Sequence, residues 1–178
     1  MSKVSISPDT QMQEIESSLS GARRALFQKY HVGGCSSCGF QPTDTLKQVC
    51  ENHNLLDIEE VISWLHESHL LDQKMQISSE EVHNGMNNGS ALKLLDVRPA
   101  EDRQFATVEG AIAMDPEKAQ EIMDTWDKDS PLVMMCHHGI ASMDAAAYFI
   151  GHGFTNVKSM TGGIDGWAQT VDTKVPRY

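Results

Sequence analysis

The sequence is short of positive charge. Of its 178 residues, 14 are Lys or Arg and 25 are Asp or Glu, which gives a formal net charge of −11 at pH 7. A protein that binds nucleic acid presents a basic patch to the phosphates, and no such patch offsets the acidic residues in this chain. We therefore expect no nucleic acid among its partners.

Long hydrophobic runs are also absent. No stretch approaches the roughly 18 consecutive apolar residues that cross a bilayer, and the segment MSKVSISPDTQMQEIESS lacks the apolar centre of a secretory signal. We therefore expect a cytoplasmic protein with no membrane partner. Because thiols stay reduced in that compartment, its few cysteines are interpreted as ligands or reactive thiols rather than as disulfide partners. The cysteines are Cys35, Cys38, Cys50 and Cys136.

The two parts of the chain differ in pattern. Residues 10–74 show helical spacing, and the segments ARRALFQKY, TLKQVCENH and EEVISWLHESHLL predict a small all-α domain. Thr43 or Asp44 is expected to cap the second of these helices, because Pro42 bars helix before it. Asp57, with Glu60 three residues later, resembles a capping box at the start of the third helix.

Residues 75–178 alternate short apolar runs with helical segments. The strands are predicted in ALKLLDV, GAIAM, PLVMMC and NVKSM, and the helices in SSEEVHNGM, DPEKAQEIMDTW and GIASMDAAAYFIGHGF. Such alternation requires crossover connections. The fold class expected for this second domain is therefore α/β, with a mostly parallel sheet covered by helices on both faces.

A single thiol lies where the most apolar of these strands ends. Residues 133–142 read VMMCHHGIAS, which places Cys136 between a buried strand and a helix that begins after a glycine. Ligands and chemistry gather beyond the carboxyl ends of parallel strands, and the amides at the start of a helix stabilise an anion. Cys136 is therefore a candidate nucleophilic thiolate, although cysteines also serve as inert buried residues.

Five motifs occur in order along the second part of the chain. They are D-x-R at Asp96–Arg98, G-A-I in GAIAM, C-x-x-G-x-x-S at Cys136–Ser142, G-F-x-N-V, and G-G-x-x-x-W at Gly162–Trp167. From about residue 77 to residue 168, the chain resembles the rhodanese-like sulfurtransferase domain. That resemblance implies a rhodanese-like fold in which Cys136 accepts sulfane sulfur from a small donor as a persulfide. A thiol or protein acceptor would then take the sulfur in a double displacement that requires no cofactor.

The loop after Cys136 departs from the family pattern at one position. The family usually has C-H-H-G-x-R-S, and this chain has Ala141 where the arginine stands. An arginine would bind an oxyanion donor through charge-assisted contacts. We therefore expect weak use of thiosulfate and a preference for a polysulfide or persulfide donor. The resemblance implies a substrate-binding loop that comprises His137, His138, Gly139, Ile140, Ala141 and Ser142.

Other residues of these motifs carry weaker expectations. His137 and His138 either lower the pKa of the thiol or contact substrate, or are exposed loop residues without a role. Asp96 and Arg98 are expected to form a structural pair at the end of their strand. The segment from Gly162 to Trp167 is expected to close the sheet and to pack the final helix.

A second group of candidate residues lies in the first domain. Cys35 and Cys38 form a C-x-x-C pair, and Cys50 and His53 lie about one turn apart on a predicted helix. With His31 or His53 as the fourth ligand, the three cysteines could hold zinc or an iron–sulfur cluster. They could instead form a redox or persulfide relay, or be structural thiols. The H-x-x-G-C-x-x-C-G pattern also resembles a small helical domain of unknown function found in redox and sulfur-handling proteins.

Two function classes therefore remain open. In the first, the chain is a sulfurtransferase that uses Cys136. In the second, the rhodanese-like scaffold is a non-catalytic binding module or a sensor of redox state or metal, and the missing arginine reflects that loss of catalysis.

Overall fold

The computed structural model describes residues 5–33 and 39–178. The chain divides into two compact units, Met1–Lys74 and Met75–Tyr178. Within the described residues, no helix is both long enough and apolar enough to cross a membrane.

The described elements of the first unit are helices. They are α1 (Met12–Ser18), α2 (Ala22–Tyr30), α3 (Leu46–Asn52) and α4 (Ile58–Met75). Their apolar faces meet in one core, which includes the fully buried Met12, Ile15, Leu26 and Leu46. Burial of each such side chain stabilises the fold by about 1.5–3 kcal/mol.

The cap of α3 differs from the expectation. Thr45, rather than Thr43 or Asp44, accepts a hydrogen bond from the Gln48 amide, and the Gln48 side chain accepts one from the Thr45 amide. Asp44 is engaged elsewhere, because its carboxylate accepts a hydrogen bond from the Gln41 amide at 2.7 Å. Of the capping box expected at Asp57, the cap itself is present, since the Asp57 carboxylate accepts a hydrogen bond from the Glu60 amide at 3.0 Å, whereas the Glu60 carboxylate pairs with Lys29.

The second unit is built on a parallel sheet. Its described strands are β1 (Gln76–Ile77), β2 (Lys93–Asp96), β3 (Ile112–Ala113), β4 (Leu132–Met135) and β5 (Val157–Met160). They lie in the order β1-β5-β4-β2-β3, and each neighbouring pair is parallel. The intervening helices are α5 (Ser79–Asn87), α6 (Ala100–Phe105), α7 (Pro116–Thr125), α8 (Ala141–Gly151) and α9 (Gly163–Thr170).

The central strand β4 is buried on both faces. Val133 and Met135 belong to a core that includes Ile164 and Trp167 of α9. Leu132 and Met134 belong to a second core, with Ile122 of α7 and with Ala146 and Phe149 of α8. Because successive side chains of a strand point to opposite faces, helices cover both sides of the sheet. The predicted α/β class is confirmed.

The segment from Gly162 to Trp167 was expected to close the sheet and to pack the final helix. It caps and begins that helix, α9, and Trp167 lies in the same core as Val133 and Met135 of β4. Two elements of this unit were not predicted. The short elements β1 and α6 carry no periodic signal that predicts them, since β1 has two residues and α6 has six.

Candidate active site

Strand β4 delivers Cys136 to the carboxyl edge of the sheet. The strand pairs with β2 on one side and β5 on the other, and Cys136 follows its last residue with 5% of its surface exposed. The Gly139 amide donates a hydrogen bond to Sγ at 3.1 Å. The Ser142 hydroxyl lies 3.3 Å from Sγ.

A second serine, on the neighbouring strand, supports the Ser142 hydroxyl. Ser159 of β5 donates a hydrogen bond to the Ser142 hydroxyl oxygen at 2.8 Å. This bond leaves the Ser142 proton free to point at the sulfur. Both serines are buried, with exposures of 0% and 1%, so their geometry is held by packing. Hydrogen-bond donors aimed at sulfur stabilise its anionic form.

The loop of residues 136–142, called the Cys136 loop below, rests on the start of α9. The Ile164 amide donates to the Cys136 carbonyl at 2.9 Å, and the Asp165 amide donates to the His137 carbonyl at 3.1 Å. Gly163, with φ of 57°, lies beneath these carbonyls, and a Cβ there would collide with both oxygens. Glycine is therefore required at this contact.

A cavity of about 240 Å³ opens beside the sulfur. It is lined by Val97, Arg98, Pro99, Asp102, Cys136, His137, His138, Ile140 and Ala141. Ile140 is 65% exposed at the rim. The cavity therefore combines a thiol with a largely apolar wall.

Arg98 is the one arginine or lysine among the described residues that line this cavity. Its guanidinium group binds the Asp96 carboxylate at 2.6 Å, and it donates to the Tyr178 hydroxyl at 2.7 Å and to the Ala106 carbonyl at 2.8 Å. The side chains of Arg98 and Asp96 are only 1% and 3% exposed. The expected structural pair is thus present, and the charge of Arg98 is already neutralised.

The two loop histidines lie side by side. Their rings stack with centroids 3.9 Å apart, and the Tyr178 ring stacks on His137 at 4.3 Å. Phe105 in turn lies against Tyr178, with ring centroids 5.9 Å apart. Phe105 and Tyr178 were not anticipated, because no motif marks either residue and only the fold brings them to the loop.

The candidate residues of the first unit are only partly described. Cys35 and Cys38 lie outside the described residues. Cys50 is fully buried in the helical core, whereas His31 is exposed and His53 is partly exposed. Within residues 5–33 and 39–178, no three candidate ligands cluster as a metal site would require. The zinc, iron–sulfur and relay hypotheses therefore stay predictions.

Cys50 is expected to be chemically inert in the folded protein. Burial raises the pKa of its thiol, with a smaller contribution from Glu51, and the thiolate is the reactive form. Treatment with iodoacetamide at neutral pH, followed by peptide mapping, should leave Cys50 unmodified. The same treatment in urea should modify it. Rapid modification of Cys50 in the folded protein would contradict this description of its environment.

The fold and this site define a rhodanese-like domain. The family model described as "Rhodanese-like domain" matches residues 78–170, and the chain belongs to that family. A thiosulfate sulfurtransferase GlpE of Actinobacillus succinogenes is 40% identical over 74 residues, which are 42% of this chain and 67% of that protein.

The chain is also similar to two other proteins over different lengths. An adenylyltransferase and sulfurtransferase UBA4 of Debaryomyces hansenii is 32% identical over 155 residues, which cover 81% of this chain. The match spans 34% of that longer protein. The solved rhodanese-like domain of an Anabaena sp. protein is 20% identical, with a TM-score of 0.49, and covers 55% of this chain and 75% of that chain.

Proposed function

We propose that this chain is a sulfurtransferase that carries sulfane sulfur as a persulfide on Cys136. Membership of the rhodanese-like family and the names of the sulfurtransferase relatives support the general activity. The observation that carries the assignment to Cys136 is its sulfur contact with the Gly139 amide and the Ser142 hydroxyl.

The chemistry consists of two exchanges of a sulfur–sulfur bond. The Cys136 thiolate attacks the terminal sulfane sulfur of the donor, the donor's S–S bond breaks, and the donor leaves as an anion one sulfur shorter. A thiolate acceptor then attacks the outer sulfur of the persulfide, and Cys136 leaves as a thiolate. Neither step needs an oxidant, a reductant or a cofactor.

The charge around the cavity favours a polysulfide or persulfide donor over thiosulfate. Ala141 provides no cation at the start of α8, and the guanidinium of Arg98 is occupied by Asp96 and Tyr178. A thiosulfate dianion would therefore enter without a charged partner. The apolar wall favours a donor whose negative charge is spread over several sulfur atoms. The exposed Ile140 at the rim offers an apolar contact to an acceptor larger than a free small thiol.

The test is a sulfur adduct on Cys136. Incubation with inorganic polysulfide, followed by intact mass measurement, should show the gain of one sulfur atom. The adduct should persist in Cys35→Ser and Cys38→Ser, should vanish in Cys136→Ser, and should disappear from the wild type when a thiol acceptor is added. A wild-type protein that gains no sulfur from polysulfide, persulfide or thiosulfate would contradict the proposal and favour a non-catalytic binding module.

A further inference from the structure

Tyr178 makes three contacts that converge on the candidate site. Its ring stacks on His137 with an interplanar angle of 17°, its other neighbour is the Phe105 ring, and its hydroxyl accepts a hydrogen bond from Arg98. Tyr178 is far in sequence from all three partners. Its side chain is 44% exposed, so burial of the ring alone does not account for this placement.

Arg177, the residue before Tyr178, binds a residue of α9 that supports the Cys136 loop. Arg177 donates to the Asp165 carboxylate at 2.6 and 3.3 Å, and it holds the pKa of that carboxyl below its usual range. The Asp165 amide is the donor that holds the His137 carbonyl. Of these two consecutive residues, Tyr178 therefore contacts the His137 ring, whereas Arg177 contacts Asp165, whose amide holds the His137 carbonyl.

The His137 ring stacks with two other rings. The centroids lie 3.9 Å from that of His138 and 4.3 Å from that of Tyr178, and His137 lines the cavity beside Cys136. Stacked rings have a preferred offset geometry, so the two neighbours restrict how the imidazole can turn. Tyr178 does not line the cavity, so it acts on the reaction through neighbours that do: its ring through His137 and its hydroxyl through Arg98.

We propose that Tyr178 is a positioning residue for sulfur transfer, which holds His137 at the wall of the Cys136 cavity while Arg177 anchors it to α9. This role rests on the proposed sulfurtransferase function. A reaction is faster when the participating groups are held in the reactive geometry than when they can rotate out of it.

The experiment compares two substitutions of Tyr178, one that removes the aromatic ring and one that removes only the hydroxyl group. Tyr178→Leu removes the stack and should slow single-turnover transfer from the Cys136 persulfide to dithiothreitol by about three- to tenfold, the range expected for one aromatic pair. Tyr178→Phe keeps the stack and should retain most of the rate. Tyr148→Leu removes an exposed tyrosine of α8 whose ring neighbours are Phe149 and His152, and it serves as the matched control with an unchanged rate.

A double-mutant cycle distinguishes positioning from a general loss of stability. In a His137→Ala background, Tyr178→Leu should cause no further loss of rate, because the residue through which it acts is gone. Losses that multiply in the double variant would overturn the proposal, as would a wild-type rate in Tyr178→Leu.

A spectroscopic measurement tests the placement independently of activity. The His137 ring protons should lose the part of their ring-current shift that Tyr178 contributes in Tyr178→Leu and keep it in Tyr178→Phe, as measured by NMR of the unloaded protein, while the part from His138 remains in both. Unchanged shifts in Tyr178→Leu would overturn the positioning role even if transfer is slowed. If the wild-type protein gains no sulfur, the proposed function is refuted. The NMR shifts would still show whether Tyr178 stacks on His137.

Discussion

Gly163→Ala is expected to disable the candidate site and to destabilise the second unit by about 2–5 kcal/mol. A residue with a Cβ at left-handed φ costs about 1–2 kcal/mol, and Gly163 has φ of 57°. The added Cβ also meets the carbonyl oxygens of Cys136 and His137, so the backbone must shift, at a cost of about 1–3 kcal/mol. That shift moves the Cys136 loop away from the Ile164 and Asp165 amides.

The effect should appear in two measurements. Urea unfolding followed by circular dichroism should show the loss of stability, and polysulfide loading in the absence of denaturant should fall by more than about tenfold, because displacement of aligned groups is costly to catalysis. Gly89→Ala is the matched control, since Gly89 has φ of 77° and no atom within 4 Å of its would-be Cβ. The Gly89→Ala variant should be destabilised only by the cost of placing a Cβ at positive φ. Its loading with sulfur from polysulfide should equal that of the wild type. Equal behaviour of the two variants would show that the contact of Gly163 with the loop is unimportant.

Ala141→Arg is expected to raise kcat/KM for thiosulfate by about 10- to 100-fold. A hydrogen bond to a charged group contributes about 1.5–3 kcal/mol, and each 1.4 kcal/mol corresponds to about a factor of ten. Ala141 is the first residue of α8, is exposed, and lines the cavity beside Cys136. An arginine there can therefore reach a bound oxyanion without displacing core residues.

The control for this prediction is Ala141→Gln, which adds length and hydrogen-bonding capacity without charge. It should leave thiosulfate use near the wild-type level, and the gain in Ala141→Arg should shrink at high salt. Rates with polysulfide should change little in either variant. If wild-type protein already used thiosulfate better than polysulfide, the inferred donor preference would be wrong.

Much of the second unit can be predicted from the sequence because its signals are local. The apolar run PLVMMC predicts the doubly covered strand β4, and the alternation around it predicts the parallel sheet. Asp96 and Arg98 are two residues apart, so their pairing at a strand end is also a local matter, and the structure confirms it. Fold class and family are thus available before any coordinates.

The parts that could not be predicted depend on contacts between distant segments. Ser159 supports Ser142 only because β5 pairs beside β4, and nothing in NVKSM distinguishes that serine from an ordinary strand residue. The role of Gly163 depends on the approach of α9 to the Cys136 loop. Tyr178 reaches His137 from a segment without helical or strand periodicity. The Cys136 assignment itself stays a prediction until sulfur loading is measured.

The central position of β4 also determines when, during folding, the surroundings of Cys136 are complete. Its partners β2 and β5 are joined to it through helical crossovers, and the amides that hold the Cys136 and His137 carbonyls belong to α9, which follows β5 in the chain. Contacts between segments so far apart in sequence form late in folding. The Cys136 loop therefore gains its contacts with α9, and Ser142 its contact with Ser159, only after the fifth strand and the final helix have docked.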